Sequence, residues 1–244
     1  MKPMNTEIKY EPRHITKDDI KNGCIALTGG DGEEAKLCMI QEEFREGIDA
    51  TKELGPSVTF YGSARLKPEH PEYERAYHLA NRIAKELNCV IISGGGAGIM
   101  EAANKGAFDA GVESIGFTIR LPKEQATNPY VTKELPFHFF FARQVSMSYT
   151  TEVCVFCAGG FGTLFELFEL LTNLQTGKIG MIPIILLGTE FWTPIIKIVK
   201  ETFVEKYKTV NPNDLDRFVI TDDEDEILEL IKNSKQRTGV DEFL

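Results

Sequence analysis

The feature that most constrains the fold is a regular alternation of short apolar runs with longer segments of helical periodicity, from Glu33 onwards. The short runs are continuous stretches of Val, Ile, Leu and Phe, which is typical of strands buried on both faces. Strands that are separated by helices pair in parallel, with helices covering both sides of the sheet. The sequence therefore predicts an α/β fold with a single, doubly wound, Rossmann-like parallel sheet.

The pattern also predicts where each element lies and how the chain is divided. Helices are predicted over 33–54, 72–87, 99–110, 142–151, 162–175, 191–207 and 224–235. Strands are predicted over 57–61, 89–92, 113–119, 153–157, 182–187 and 217–221, with a loop over 121–135 and an extended segment over 136–141. We interpret 1–32 as an extended or disordered arm and 33–244 as one nucleotide-binding domain, whose first helix is an N-terminal extension.

Composition excludes several classes of partner. The chain has 37 Asp and Glu against 27 Lys and Arg, and this excess of acid argues against binding to nucleic acid. The first residues contain no apolar stretch typical of a signal peptide. The longest apolar run, 179–187, is interrupted by Pro183 and is too short to cross a bilayer. We therefore expect a soluble, cytoplasmic protein that binds neither membrane nor nucleic acid.

Three glycine-bearing strand ends are candidate ligand sites, because open parallel sheets bind ligands beyond the carboxyl ends of their strands. They are 62–63, 93–98 and 158–163. None has the G-x-G-x-x-G spacing of dinucleotide sites, and Thr172 stands where a Walker A motif ending in Gly177-Lys178 needs its first glycine. Conventional NAD, FAD and ATP sites are disfavoured.

The segment from Gly159 to Thr163 has the properties of an anion-binding loop. It joins a buried strand to a helix, where unpaired N–H groups and the helix dipole favour negative charge. Glycines let a ligand approach the backbone, and the Thr163 hydroxyl adds a donor. The alternative is a tight turn that binds nothing, with Thr163 as the helix cap.

Two charged residues stand out beside this loop. Glu166 follows Thr163 by three residues, so both lie on one helical face, about 4.5 Å apart along the axis. Arg143 follows the apolar run 139–142 and needs a carboxylate or phosphate partner if it is buried. Either an anionic ligand or Glu166 itself meets that need.

The chain shows no pattern typical of a metal site. The spacing of its four histidines along the chain does not match that of the residues that bind a metal ion. Cys154 and Cys157 form a C-x-x-C motif, but they lie in an apolar strand where odd spacing places them on opposite faces. The acidic run 222–226 is an ordinary start for a helix. No metal and no cofactor are predicted.

Taken together, these motifs resemble the LOG (Lonely Guy) family of cytokinin-activating phosphoribohydrolases, often mislabelled lysine decarboxylases. The family signature PGGxGTxxE is similar to Ala158–Glu166, and a GGG-x-G-x-M signature is similar to Gly94–Met100. The segments Phe60–Arg65 and Asn128–Tyr130 resemble the longer bacterial-type branch. The resemblance covers about 37–231, nearly the whole chain.

The resemblance implies an enzyme that hydrolyses the N-glycosidic bond of a cytokinin or purine nucleoside 5'-monophosphate, such as AMP, to free base and ribose 5-phosphate. It implies catalytic roles for Arg143 and Glu166. Phosphate binding falls on Gly159, Gly160, Gly162 and Thr163. Other substrate-binding positions are Gly62, Ser63, Gly94, Gly95, Gly96, Met100 and Gln144. The family also implies a homodimer or a higher homo-oligomer, with sites near the interface.

Two positions depart from the family pattern. Gln144 stands where the family usually has Lys, and Ala158 stands where it has Pro. Loss of a cation predicts weaker phosphate or ribose binding, or a different nucleotide preference. The alternative is a carrier or sensor of a phosphorylated ligand, resembling the molybdenum-cofactor carrier proteins. Amino-acid decarboxylation is disfavoured, because no lysine lies at the three glycine-rich strand ends to bind pyridoxal phosphate.

Overall fold

The computed structural model describes residue 30 and residues 32–52, 54–120 and 126–234. The predicted arm over 1–32 lies almost wholly outside these residues. The strands are β1 (Ser57–Tyr61), β2 (Val90–Ser93), β3 (Ser114–Ile119), β4 (Lys133–Phe137), β5 (Val153–Phe156), β6 (Ile184–Leu187) and β7 (Val219–Thr221). The helices are α1 (Glu33–Lys52), α2 (Pro71–Leu87), α3 (Ile99–Asp109), α4 (Phe140–Thr150), α5 (Phe161–Gln175), α6 (Thr189–Val199) and α7 (Glu224–Lys232).

The seven strands form one parallel sheet in the order β4-β3-β2-β1-β5-β6-β7. From β1 the chain builds outwards through β2 and β3 to β4, and it then returns to the other side of β1 with β5. The order therefore reverses between β1 and β5, where the loops that follow the two strands diverge and leave a crevice. The predicted doubly wound α/β fold is confirmed.

Helices cover both faces of the sheet and bury two apolar layers. One layer contains Leu79 of α2 and Ile227 of α7, and the other contains Leu167 of α5 and Trp192 of α6. Cys157 belongs to the first layer and Cys154 to the second, as the odd spacing predicted. Helix α1 packs outside α4 and adds the partly buried Phe44 to the second layer.

The segment before α4 is where the prediction was wrong. The predicted loop over 121–135 and extended segment over 136–141 contain β4, which begins at Lys133, while α4 already begins at Phe140. Five residues of β4 pair in parallel with β3, and this pairing imposes a strand on a partly polar sequence. Proline has no backbone N–H to donate to a neighbouring strand. Pro136 is tolerated because β4 is an edge strand, with no strand on its outer side among the described residues.

The predicted helix over 191–207 is also changed. Helix α6 begins at Thr189 and ends at Val199, and Lys200–Lys206 continues it as a π-helix, a wider turn that apolar periodicity does not distinguish. The predicted strand over 217–221 is shorter, because a 3-10 helix occupies Pro212–Arg217. Within the described part of the chain, no helix is both long enough and apolar enough to cross a membrane.

Candidate active site at the strand-order reversal

A cavity of about 650 Å³ lies at the carboxyl ends of the central strands. Its wall includes the predicted site residues Gly62, Ser63, Gly94, Gly95, Gly96, Met100, Arg143, Gly160, Gly162, Thr163 and Glu166. All three glycine-rich strand ends therefore meet at one place. Gly159 and Gln144 are the two predicted site residues that do not line the cavity.

The start of α5 forms one side of the cavity. Gly160 occupies the N-cap position and provides no side-chain cap, so the first turn begins with unpaired N–H groups at the cavity wall. Thr163 lies inside the helix rather than at its cap, and it packs so closely on Gly159 that any side chain at 159 would collide with it. This geometry combines the positive end of a 15-residue helix with open space above Gly160 and Gly162.

Arg143 and Glu166 both line the cavity and contact each other there. The Nη1 atom of Arg143 lies 3.5 Å from Glu166 Oε1. The Nε atom of Arg143 donates to the Phe117 carbonyl oxygen at 2.6 Å. Their side chains are only 9% and 14% exposed, so both charges are largely removed from water. The Met100 Sδ atom and the guanidinium of Arg143 lie against Gly94, so a side chain at 94 would have to displace them. The predicted carboxylate partner of Arg143 is therefore Glu166.

The environment of Glu166 shifts its acidity. Burial raises the pKa of the Glu166 carboxyl above its ordinary value, Arg143 opposes this shift, and Glu169 adds to it. A carboxyl group with a raised pKa exchanges its proton more readily near neutral pH than an exposed carboxyl group does. Such a group in a cleft is typical of an active site, although ion-pair networks also produce it.

Gln144 lies behind the cavity wall. Its amide Nε2 donates to Glu169 Oε2 at 3.3 Å, and the same carboxylate oxygen accepts from Ser148 Oγ at 2.9 Å. Consecutive residues of a helix point about 100° apart, and of this pair Arg143 lines the cavity whereas Gln144 points towards Glu169. Gln144, which stands where the family usually has Lys, therefore lies in a polar layer behind the wall, next to Glu169.

Sequence reasoning missed a second cation at the cavity. Arg65 lines the wall beyond β1 and is exposed. It is the last residue of the Phe60–Arg65 motif, which was the available signal. Tyr61 also lines the cavity, and burial raises the pKa of its phenol well above the ordinary value, so the phenol stays protonated at neutral pH.

Comparison with known proteins places the chain in a family. The model of the family described as "Possible lysine decarboxylase" matches residues 100–231, more than half of the chain. The protein belongs to this family, the LOG family. The matched region contains Arg143, Glu166 and the loop before α5. A search of curated proteins found no significant match.

Solved structures extend the comparison of the LOG-family chain. It is similar to the molybdenum cofactor binding protein of the phototrophic bacterium Rippkaea orientalis, with 25% identity, a TM-score of 0.53 and coverage of 72% of this chain and 93% of that one. It is also similar to the Moco carrier protein of Chlamydomonas reinhardtii, with 23% identity, a TM-score of 0.51 and coverage of 72% of this chain and 95% of that one. DNA processing protein A of Streptococcus pneumoniae shares the fold at 13% identity and a TM-score of 0.50, with coverage of 79% and 64%. The fold therefore serves differently named proteins, and the site must decide the activity.

A buried polar network fixes the conformation of the loop over 94–96, the three consecutive glycines after β2. Ser93 Oγ donates to Asn104 Oδ1 at 2.6 Å, and Asn128 Nδ2 donates to the same oxygen at 2.9 Å. The Asn128 amide also donates to the Gly96 carbonyl oxygen, and the Gly95 N–H donates to Ser93 Oγ. Sequence reasoning missed Asn104, because an Asn on an apolar helix face shows no signal until its partners are known.

The loop after β2 also holds the loop after β1. The Ile99 N–H donates to the Ser63 carbonyl oxygen at 2.9 Å, and Gly98 lies against the same carbonyl with a φ of +69°. Only glycine adopts this conformation readily, and a Cβ atom at 98 would collide with Ser63 and Ala64.

A substitution of Gly98 tests this contact. Gly98→Ala and Gly111→Ala both place alanine at positive φ, which costs about 1–2 kcal/mol even in the left-handed helical region, but the ψ of −130° at Gly98 lies outside that region and only position 111 has open space around it. We expect Gly98→Ala to lower the free energy of unfolding by roughly 1–3 kcal/mol more than Gly111→Ala, because it also displaces the loop after β1. Urea denaturation of both variants measures the difference. Equal losses would show that the loops do not constrain each other.

Proposed function

We propose that this protein hydrolyses the N-glycosidic bond of a nucleoside 5'-monophosphate and releases the free base and ribose 5-phosphate. The observation that carries the proposal is the largely buried Arg143–Glu166 pair, which lines the same cavity as the uncapped start of α5. A phosphate at the helix start leaves the attached sugar within reach of the carboxylate. Membership of the LOG family supports this reaction class.

The start of α5 provides the phosphate-binding part of the site. Backbone N–H groups of Gly160, Gly162 and Thr163 are available for the phosphate oxygens, while Gly159 allows Thr163 to pack behind the loop. Arg65 adds a positive charge at the cavity wall. Gln144 donates to Glu169 behind the wall and takes no part in this contact.

The bond is broken as positive charge develops on the sugar. When the base leaves with the bonding electrons, the anomeric carbon becomes cationic, and the Glu166 carboxylate stabilises it. The same carboxylate accepts a proton from the attacking water, whose oxygen forms the new bond to the anomeric carbon, and it then gives up that proton as the departing base takes one and leaves neutral. Arg143 orients Glu166 and donates hydrogen bonds to the departing base or to ribose oxygens. Gly94, Gly95, Gly96 and Met100 form the wall for the base and sugar.

The substrates that we propose are AMP, its isopentenyl derivative in cytokinin formation, and other purine monophosphates. The lining includes Phe60, Met100, Ile119 and Phe140, which offer apolar contact to a planar base. The lining residues that the structure describes include no lysine, and a pyridoxal-phosphate decarboxylase requires one for its Schiff base.

A non-catalytic carrier is the second candidate. It is favoured by the similarity to the molybdenum cofactor binding protein of Rippkaea orientalis, which extends over 93% of that chain. A carrier needs the anion-binding loop but has no use for a carboxyl group beside the sugar. The raised pKa of Glu166 and its contact with Arg143 therefore favour the enzyme.

We further propose that the protein assembles as a homodimer through the outer face of α5. Phe161, Phe165 and Phe168 recur there at helical spacing, and the first two are 94% and 60% exposed. Phe140 and Phe141 of α4 and Leu37 of α1 add exposed apolar surface. A run of large apolar side chains in water is typical of a contact with another protein. Since Phe161 also lines the cavity, the partner would border the site.

Base release tests the proposed function. Purified protein is incubated with a panel of nucleoside 5'-monophosphates that includes AMP and its isopentenyl derivative, and free base is quantified by chromatography. Glu166→Gln should lower kcat by about 10²–10⁴-fold and Arg143→Ala by about 10²–10³-fold, because each removes a group that acts on the developing charge. The exposed Glu190→Gln is the matched control. Binding of a monophosphate without release by the wild type would instead favour the carrier.

The pH profile tests the role of Glu166 as a carboxylate. Activity that needs ionised Glu166 is lost as the pH falls through its pKa, which Glu169 helps to raise. Glu169→Gln removes that repulsion, so the acidic limb of kcat/KM should move to lower pH, while Glu190→Gln leaves it in place. A limb that stays fixed or moves upwards in Glu169→Gln would rule out titration of Glu166 as its origin.

Light scattering after size-exclusion chromatography tests the dimer. Phe165→Glu places a charge in the proposed interface and should give a monomer with lower kcat/KM. Phe203→Glu makes the same change at an exposed residue on the π-helical segment, and it should remain dimeric. A wild-type monomer at micromolar concentration would contradict the proposal.

A further inference from the structure

A buried carboxylate outside the cavity supports the helix that bears Arg143. Glu43 of α1 is 2% exposed, and it accepts hydrogen bonds from the His138 N–H at 2.9 Å, from His138 Nδ1 at 2.6 Å and from the Phe139 N–H at 3.2 Å. A buried carboxylate is costly unless its oxygens are satisfied. Here each oxygen has a partner, and every partner lies in the two residues before α4.

Glu43 fixes the entry of the chain into α4. Phe139 is the N-cap residue of α4, and its own side chain makes no capping hydrogen bond. The carboxylate from α1 instead holds the N–H groups of Phe139 and of the residue before it, and it places negative charge near the positive end of the helix. The direction and position of α4 at its start thus depend on a residue about 100 positions earlier in the chain.

Arg143 lies one helical turn from this contact. Its N–H donates to the Phe139 carbonyl oxygen at 3.1 Å, which is the first α-helical hydrogen bond of α4. From there its side chain reaches Phe117 and Glu166. A shift of the first turn moves the Arg143 backbone with it, because this hydrogen bond joins Arg143 to Phe139, and the guanidinium must then reach Phe117 and Glu166 from a different starting point.

The packing of α1 on α4 fixes the distance between the two helices. Gly47 lies so close to Ser146 that a Cβ atom at 47 would collide with its side chain. Beyond this point, Lys133 Nζ donates to the Ala50 carbonyl oxygen at 3.3 Å and joins the end of α1 to β4. Helix α1 precedes the region that the family model matches, so this support is additional to the matched domain.

We propose that Glu43 is a positioning residue for the active site: it holds the first turn of α4 so that Arg143 meets Glu166. Glu43 does not line the cavity and acts only through Arg143. The kinetic part of the test rests on the proposed function, whereas the titration described below does not.

The first experiment compares Glu43→Gln with Glu42→Gln. Glu42 is the adjacent carboxylate and pairs with Arg45 on the same helix, so its loss should not alter α4. In Glu43→Gln the side-chain amide meets the N–H groups with a donor, and the first turn should shift. Misplacement of a catalytic group by about 1 Å can cost about 10²-fold, so kcat should fall 10-fold or more while KM stays close to that of the wild type. A folded Glu43→Gln with wild-type kcat overturns the proposal.

The second experiment needs no substrate. Arg143 lowers the pKa of Glu166, so displacement of Arg143 in Glu43→Gln should raise that pKa, and Glu42→Gln should leave it unchanged. Carbon-13 NMR of the glutamate carboxyl groups measures the titration, with Glu166→Gln to assign the signal. If the wild type releases no base, the proposed function fails, but this titration still decides the role of Glu43. An unchanged Glu166 pKa in folded Glu43→Gln overturns it.

A second variant covers the case in which Glu43→Gln does not fold. Glu43→Asp keeps the negative charge at the start of α4 but is one methylene shorter, so it cannot reach the His138 and Phe139 N–H groups equally well. We expect it to fold, with kcat and Glu166 pKa between those of the wild type and of a protein without Arg143. Wild-type values for both in Glu43→Asp, with Glu43→Gln unfolded, would assign Glu43 to stability alone.

Discussion

The ion pair between Arg143 and Glu166 is the interaction on which the site depends. Removal of one partner from a buried pair leaves an uncompensated charge and costs about 3–5 kcal/mol, so both charges must be held in register. The surroundings provide for this: the Phe117 carbonyl accepts from the guanidinium, and Gly94 leaves space for it. The same low exposure raises the pKa of Glu166, which links the stability of the pair to its chemistry.

The relation between fold and function in this family follows from the position of the site. The strand order reverses between β1 and β5, and any protein with this sheet has a crevice there. A crevice of this kind suits a ligand whether or not a reaction follows. In this protein the two helices beside it present a pair of charged groups, Arg143 from α4 and Glu166 from α5, and our proposal of hydrolysis depends on that pair.

Local sequence patterns were sufficient for six of the seven strands and for the three glycine-bearing strand ends that meet at the cavity, and they left either an anionic ligand or Glu166 as the partner of Arg143. They failed where a distant part of the chain decides the structure. Pairing with β3 makes a strand of Lys133–Phe137, and the rotation of α4 turns Gln144 away from the cavity. The roles of Asn104 and Glu43 depend on partners that are far away in sequence or in another element. The division of the chain at residue 32 and the assignment of the site residues stay predictions.

The edges of the sheet limit how the protein can associate. At one edge, β4 contains Pro136, which has no N–H, together with the charged Lys133 and Glu134. At the other edge, β7 has only three residues. Over the residues that the structure describes, neither edge exposes a long row of unpaired backbone N–H and C=O groups. A strand from another molecule therefore cannot pair along either edge, which suppresses growth into fibrils. Any contact between copies is thereby left to side-chain packing on the helices rather than to strand pairing.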